Sequence, residues 1–179
     1  MYVQQCISKL ITNVVDLNSA MTQLQIVSGA SSSQMTEFFN EASESAEKFG
    51  ASVTDTLSSI ETFARLGYNL KDSLDLTQAA TVMSNVADVS TDEATTGITA
   101  IIKGYGLQAS DAMNVADELT LVGEKYAVSA SELMTALERG GSSLAAANNS
   151  IEESVALIAA GNASVQDAES VGSQLMCRR

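Results

Sequence analysis

An all-α architecture is expected for this chain on three grounds. Its 179 residues contain no proline, so the commonest cause of a broken helical pattern is missing throughout. Apolar residues recur at steps of three and four, the spacing that lines one side of a helix. A Ser or Asn followed three residues later by an acid recurs as punctuation, the mark of a capped helix start. The composition agrees: 45% of residues are hydrophobic but only 4% aromatic, with no tryptophan and seven methionines. Such small and flexible side chains suit close contact between helices. The length allows one domain or one helical array, and no strand or hairpin signal competes.

The first helix has the sharpest periodicity. Val3, Ile7, Leu10, Val14, Leu17, Met21 and Leu24 follow one another at steps of 4, 3, 4, 3, 4 and 3, the heptad spacing of a coiled-coil seam. Ile7 and Val14 hold one seam position and Leu10, Leu17 and Leu24 the other, a pairing that suits two parallel strands. Ile11 and Val15 widen the apolar face, so an amphipathic helix packed on its own domain is the alternative. These seven seam residues are the candidate partner interface, through which the chain would self-associate. Ser28 to Ser33 then reads Ser-Gly-Ala-Ser-Ser-Ser, a composition that breaks a helix. The expected organisation is a helix over 1–28, a linker over 29–33 and a helical core domain over 34–176.

From Ser52 onward the helix starts are punctuated by capping candidates: Ser52/Asp55, Asn69/Asp72, Ser90/Glu93, Ser129/Glu132, Asn149/Glu152 and Ser164/Asp167, with Gln108/Asp111 as a weaker version. Gly50, Gly67, Gly106 and Gly161 stand upstream, where a preceding helix would need a left-handed terminator. Between these marks the apolar residues keep helical spacing. Met35, Phe38, Phe39, Ala42, Ala46 and Phe49 form one face, and Val53, Leu57, Ile60 and Ala64 the next. Leu76, Ala79, Ala80, Val82, Met83, Val86 and Ala87 surround their helix, which predicts a central buried element. Ile98, Ile101, Ile102 and Tyr105 follow, then Ala112, Val115, Ala116, Leu119, Val122 and Tyr126. Leu133, Met134 and Leu137 mark a short helix, Ile151, Val155, Leu157 and Ile158 another, and Val165, Ala168, Gly172 and Leu175 the last. Gly140-Gly141 predicts a break after Arg139 and a flexible connection up to Asn149. The repeat is too irregular for a named solenoid.

Charge and composition remove several functions. Twenty-two acidic residues against nine basic ones give a net charge of -13, which repels phosphate backbones and anionic lipid headgroups. Neither nucleic-acid binding nor membrane-surface binding is expected. There is no histidine, so the usual general base, the usual zinc ligand and every His-containing triad are excluded together. Cys6 and Cys177 form no metal-binding or disulfide spacing. Met1 to Leu17 lacks the uninterrupted apolar core of a signal peptide, and no stretch reads as a spanning helix, so a cytoplasmic origin is expected.

Matches to catalytic patterns are superficial. Gly104-Tyr105-Gly106 lacks the third glycine and the preceding strand of a dinucleotide loop and reads as a helix terminus. Ser45-Ala46-Glu47-Lys48 fits SxxK by letter without its companion motifs, and Lys48 can pair with Glu44. Glu41, Glu44 and Glu47, Asp92-Glu93 and Glu152-Glu153 read as solvated charge, because nothing nearby would bury one acid and raise its pKa. No calcium loop occurs. The reading assigns no catalytic residue, no metal site and no cofactor, and describes a protein that is not an enzyme.

The second half carries an ordered series: Asn114-Val-Ala-Asp117-Glu-Leu119, Tyr126-Ala-Val-Ser129-Ala-Ser-Glu132-Leu133, Ala136-Leu137-Glu-Arg139, Ser142 to Asn149, Glu152 to Ile158, then Val165-Gln-Asp167 with Val171-Gly172 and Leu175. This series resembles the conserved core region of phage tail tape measure proteins, and Leu74 to Gly106 looks like the first half of the same region. The likeness covers Ser33 to Leu175. It departs at Ala168, where the family often has proline, and at the C-terminus, where the family continues as a longer basic helix. Family members are several times longer, so a fragment or a truncated prophage relic is expected. The resemblance implies a structural protein inside the virion tail, around which the tail tube polymerises, whose length sets tail length and which leaves ahead of the DNA at genome ejection. Its implied partners are tail tube, tail tip or baseplate proteins and tail assembly chaperones. Two other classes stand beside it: a helical interaction module of a phage-like secretion system or bacterial surface, and a domain of a cell-wall-degrading tail protein.

Overall fold

The computed structural model describes residues 2–177, with side chains over residues 15–175. The chain is all-α: among the described residues there are nine α-helices, one 3-10 turn and no strand. It divides into two compact units between Thr77 and Gln78.

The first unit contains α1 (Tyr2–Ser28), α2 (Ser32–Phe49), α3 (Val53–Arg65) and the start of α4 (Leu70–Ala87). Leu24 of α1, Ala42 of α2 and Leu57 and Ile60 of α3 are completely buried in one cluster with Met35, Phe38 and Leu74. Each large aliphatic removed from water there stabilises the unit by about 1.5–3 kcal/mol. Residues 29–31 break the helix, with Gly29 at φ 67, yet Leu24 before the break and Met35 after it belong to one core. The start of α2 carries a capping box that the acid-based reading overlooked, because Gln34 takes the place of an acid opposite Ser31. Gly50 ends α2 in the left-handed conformation, as expected.

The second unit contains the rest of α4, α5 (Thr91–Tyr105), the 3-10 turn Ala109–Asp111, α6 (Ala112–Lys125), α7 (Ala130–Ala146), α8 (Ile151–Val165) and α9 (Ala168–Cys177). Here α7 packs against α5, α6, α8 and α9. Ile98, Ile101, Leu119, Leu133, Val155 and Ile158 are fully buried in this unit. On α4, Leu76, Ala79, Ala80 and Met83 are buried while Val86 is half exposed, so the helix buries a wide stripe and not its whole circumference.

The expected starts at Ser52, Asn69, Ser90 and Ser129 are capped as read from the sequence, and Gln108 pairs with Asp111 ahead of the 3-10 turn. Two are displaced. Asn149 does not cap α8: its Nδ2 donates to the Leu144 carbonyl at the end of α7, and the box forms one residue later between Ser150 and Glu153. Ser164 and Gly161 lie inside α8, which runs on to Val165 and ends on Gln166 at φ 53. Asp167 itself caps α9, accepting from the Ser170 N–H at 2.9 Å.

The largest departure is at Gly140-Gly141. No break follows Arg139, and α7 passes through both glycines as one 17-residue helix. The glycines serve proximity. A Cβ on Gly140 would stand 2.5 Å from the Gly172 carbonyl oxygen of α9, and one on Gly172 would stand 2.5 Å from the Ala136 carbonyl oxygen of α7. Two helices touching backbone to backbone leave no room for a methyl group. Arg139 and Glu169 close the same crossing with an ion pair of 2.6 Å; both side chains are half exposed, so it adds at most about 1 kcal/mol.

Gly140→Ala is expected to destabilise the chain by about 1–3 kcal/mol in chemical denaturation, because backbone must move to admit the methyl group. Gly104→Ala, whose Cβ would meet Ser142 backbone at an ordinary 3.5 Å, is expected to stabilise by up to about 1 kcal/mol through helix propensity. Equal effects at the two sites would contradict the backbone contact. A pH effect is expected at the α5 cap. The Ser90 hydroxyl and N–H donate to Glu93 at 2.7 and 2.9 Å and hold its carboxyl below the usual range. A depressed pKa adds stability above the unfolded value and loses it as pH falls through the folded one. Ser90→Ala should therefore destabilise at pH 7, and the gap to the parent chain should narrow at pH 3 in paired denaturation curves.

Candidate interaction surface

The described residues contain no group of three or more Cys, Asp or Glu placed to hold a metal ion. No described helix is long and apolar enough to cross a membrane. The carboxylates singled out in the sequence serve as surface charge or caps: Glu41, Glu44 and Glu47 are exposed on α2, and Glu93 and Glu153 answer the N-caps of α5 and α8. Ser45 is buried, and Lys48 lies over the Phe49 ring at 5.0 Å rather than against Glu44. Gly106 ends α5 in the left-handed conformation, so the Gly-Tyr-Gly run is a helix terminus.

The seven seam residues divide. Leu24 is buried in the first unit's own core, and Leu17 and Met21 pack partly against it. The side chains of Val3, Ile7, Leu10 and Val14 lie outside the described residues. Leu17 and Met21 also line a shallow apolar hollow with Phe39 of α2, edged by Asn18 and Thr36. Val15 and Ile26 are exposed elsewhere on α1.

A better-formed feature lies between α6 and α8. Leu121, Val122 and Tyr126 form one wall of a groove of about 470 Å³, and Ala156, Ala159, Ala160 and Ala163 form the other. Leu121 is 45% exposed and Tyr126 61% exposed. The four alanines fall at steps of three, one and three, which puts their methyl groups in a row on one side of α8. Glu118, Lys125 and Glu152 edge the groove. Its geometry follows from local sequence. Ser150 starts α8 by capping it, and Tyr126 leaves α6 in an extended conformation. The buried Asn162 of α8 then donates from Nδ2 to the Ala127 carbonyl at 2.8 Å, tying the connection after α6 to α8.

Tyr126 was expected on the apolar face of α6 and is instead more exposed than Leu121, the other large apolar side chain at the groove with open surface. Leu157, also expected to be buried, is 44% exposed. The sequence reading missed Leu121 and the groove itself. The signal was present as Ala156-x-x-Ala159-Ala160-x-x-Ala163, which an eye trained on large apolar residues treats as filler.

Asn162→Leu is expected to loosen the connection after α6 by removing its hydrogen bond, seen as faster amide exchange at 127–129 with α7 protection retained. Unchanged exchange there would show that the bond does not hold the connection.

The profile of the phage-related minor tail protein family matches residues 43–176, well over half of the chain. No solved structure matches it. The match runs from the middle of α2 through α9 and includes every residue of the α6–α8 groove and of the Gly140–Gly172 crossing. The chain belongs to the phage-related minor tail protein family.

Proposed function

We propose that this chain is part of a tail tape measure: it occupies the lumen of the virion tail, helps set tail length and leaves at genome ejection. The observation that carries the reading is the family match over 43–176, joined to the ordered series from Asn114 to Leu175 that resembles the tape measure core. A structural role in the phage tail follows from the family. The ruler role is the finer step. The all-α build supports it, since helix gives a fixed rise of about 1.5 Å per residue. Tail tube, tail tip or baseplate proteins and tail assembly chaperones are the partners this role requires, and it needs no catalytic residue.

The two parts of the role fall on different segments. A ruler in a narrow tube requires extended helix, which the 27-residue α1 provides. The short capped helices from α2 onward suit anchoring and assembly. Self-association through the seam belongs to the same proposal: because Leu24 is buried in the core and Leu17 and Met21 pack partly against it, the pairing is assigned to Val3, Ile7, Leu10 and Val14. Removing residues 1–14 is expected to convert an oligomer to a monomer in light scattering, and a monomer before truncation would overturn the pairing.

Inserting about 50 residues of continuous helix after Ser28 in the phage is expected to lengthen tails by about 75 Å in electron micrographs. Tails of unchanged length would overturn the ruler role and leave membership of the tail family intact.

A further inference from the structure

We propose that the α6–α8 groove is a docking site for a single amphipathic α-helix of a partner protein, with an apolar stripe flanked by lysine or arginine. Shape is the first reason. Ala156, Ala160 and Ala163 are exposed and project only methyl groups, so a helix laid along α8 can approach closely, at the short end of interhelical distances. Across the groove, Leu121 of α6 and Tyr126 just past its end are large exposed side chains; a tyrosine is among the residues that most often carry the energy of an interface, and Leu121 adds apolar area beside it.

Charge then decides what kind of helix fits. Glu118 and Glu152 line the groove. Asp117 and Glu124 lie four residues before and three after Leu121, and Glu153 lies three before Ala156, so helical spacing places all three on the outer flanks. These three are exposed. Among the residues that line the groove, two carboxylates face one cation, Lys125, and the three flanking acids add to the negative side. A rim of that sign favours a partner with basic flanks and speeds its encounter. It also disfavours a second copy of a chain whose net charge is -13, and it repels phosphates. The described residues offer no strand edge, so pairing by strand addition has no template.

The inference goes beyond the ruler reading and is tested separately from it, by peptide binding rather than by tail length. The full chain is titrated into a fluorescent 18-residue leucine–lysine amphipathic peptide, and into its leucine–glutamate counterpart, with anisotropy as the readout. The lysine peptide should bind and the glutamate peptide should not. Ala160→Arg, which fills the groove and reverses the local charge, should weaken binding at least ten-fold. Tyr126→Ala, a truncation at an exposed site, should weaken it several-fold, and Glu44→Gln on exposed α2 should leave it unchanged. Circular dichroism confirms that each variant is folded. No binding, equal binding of both peptides, or binding insensitive to both groove variants would overturn the proposal. Self-association abolished by Ala160→Arg would also overturn it, in favour of a second copy as occupant.

Discussion

The second unit is organised by the backbone contact between α7 and α9. Gly140 and Gly172 put two carbonyl oxygens where methyl groups would otherwise stand, and dispersion between backbones at that range needs an unbroken surface on both sides. On its neighbouring position, Gly141 lies close to the Tyr105 ring of α5, where a Cβ would stand 3.0 Å from the ring edge. Burial pushes the Tyr105 hydroxyl pKa up, as expected for a ring drawn into that contact. Adjacent glycines thus let one helix be approached by two neighbours, and α6 and α8 fill in around it. The composition supports this arrangement. With 4% aromatics and no tryptophan, the core is built mainly from alanine and aliphatic side chains with a few methionines and phenylalanines, and small side chains let helices approach closely.

Caps set the other half of the design. Short helices have little stability of their own, and each end leaves backbone groups without helical partners. Ser31, Ser52, Ser90, Ser129 and Ser150 satisfy the first-turn donors, so the chain can reverse direction many times without proline. Among the described residues the acids named above serve as caps, surface charge or, at Glu169, an ion-pair partner, and the α6–α8 groove carries large exposed side chains at Leu121 and Tyr126.

What could be read in advance tracks the range of the forces involved. The cap at Ser129 and the left-handed stop at Gly106 depend on residues three or four apart, and both were visible as text. The displaced cap at Ser150 shows where local reading fails. Asn149 and Ser150 are both good N-cap residues, and the choice was made by the Leu144 carbonyl, which takes the Asn149 amide. Gly161 reads as a terminator by its type, but Val171 of α9 packs where its Cβ would be. The groove was hidden for a related reason: alanines at helical spacing mark either a tight contact or an open wall, and only the placement of α6 distinguishes them.

The sequence by itself determined the helical class, most helix starts, the acidic surface and the absence of histidine chemistry, because each is a property of composition or of residues within one turn. Only the tertiary structure decided that Gly140-Gly141 continues a helix, that Leu24 belongs to a core shared with α2 and α3, and that Tyr126 faces solvent beside an alanine wall. These outcomes depend on what lies opposite a residue in space. A glycine has the same local preferences in a turn as in a helix crossing, and its role is fixed by the neighbour that comes within a methyl's reach.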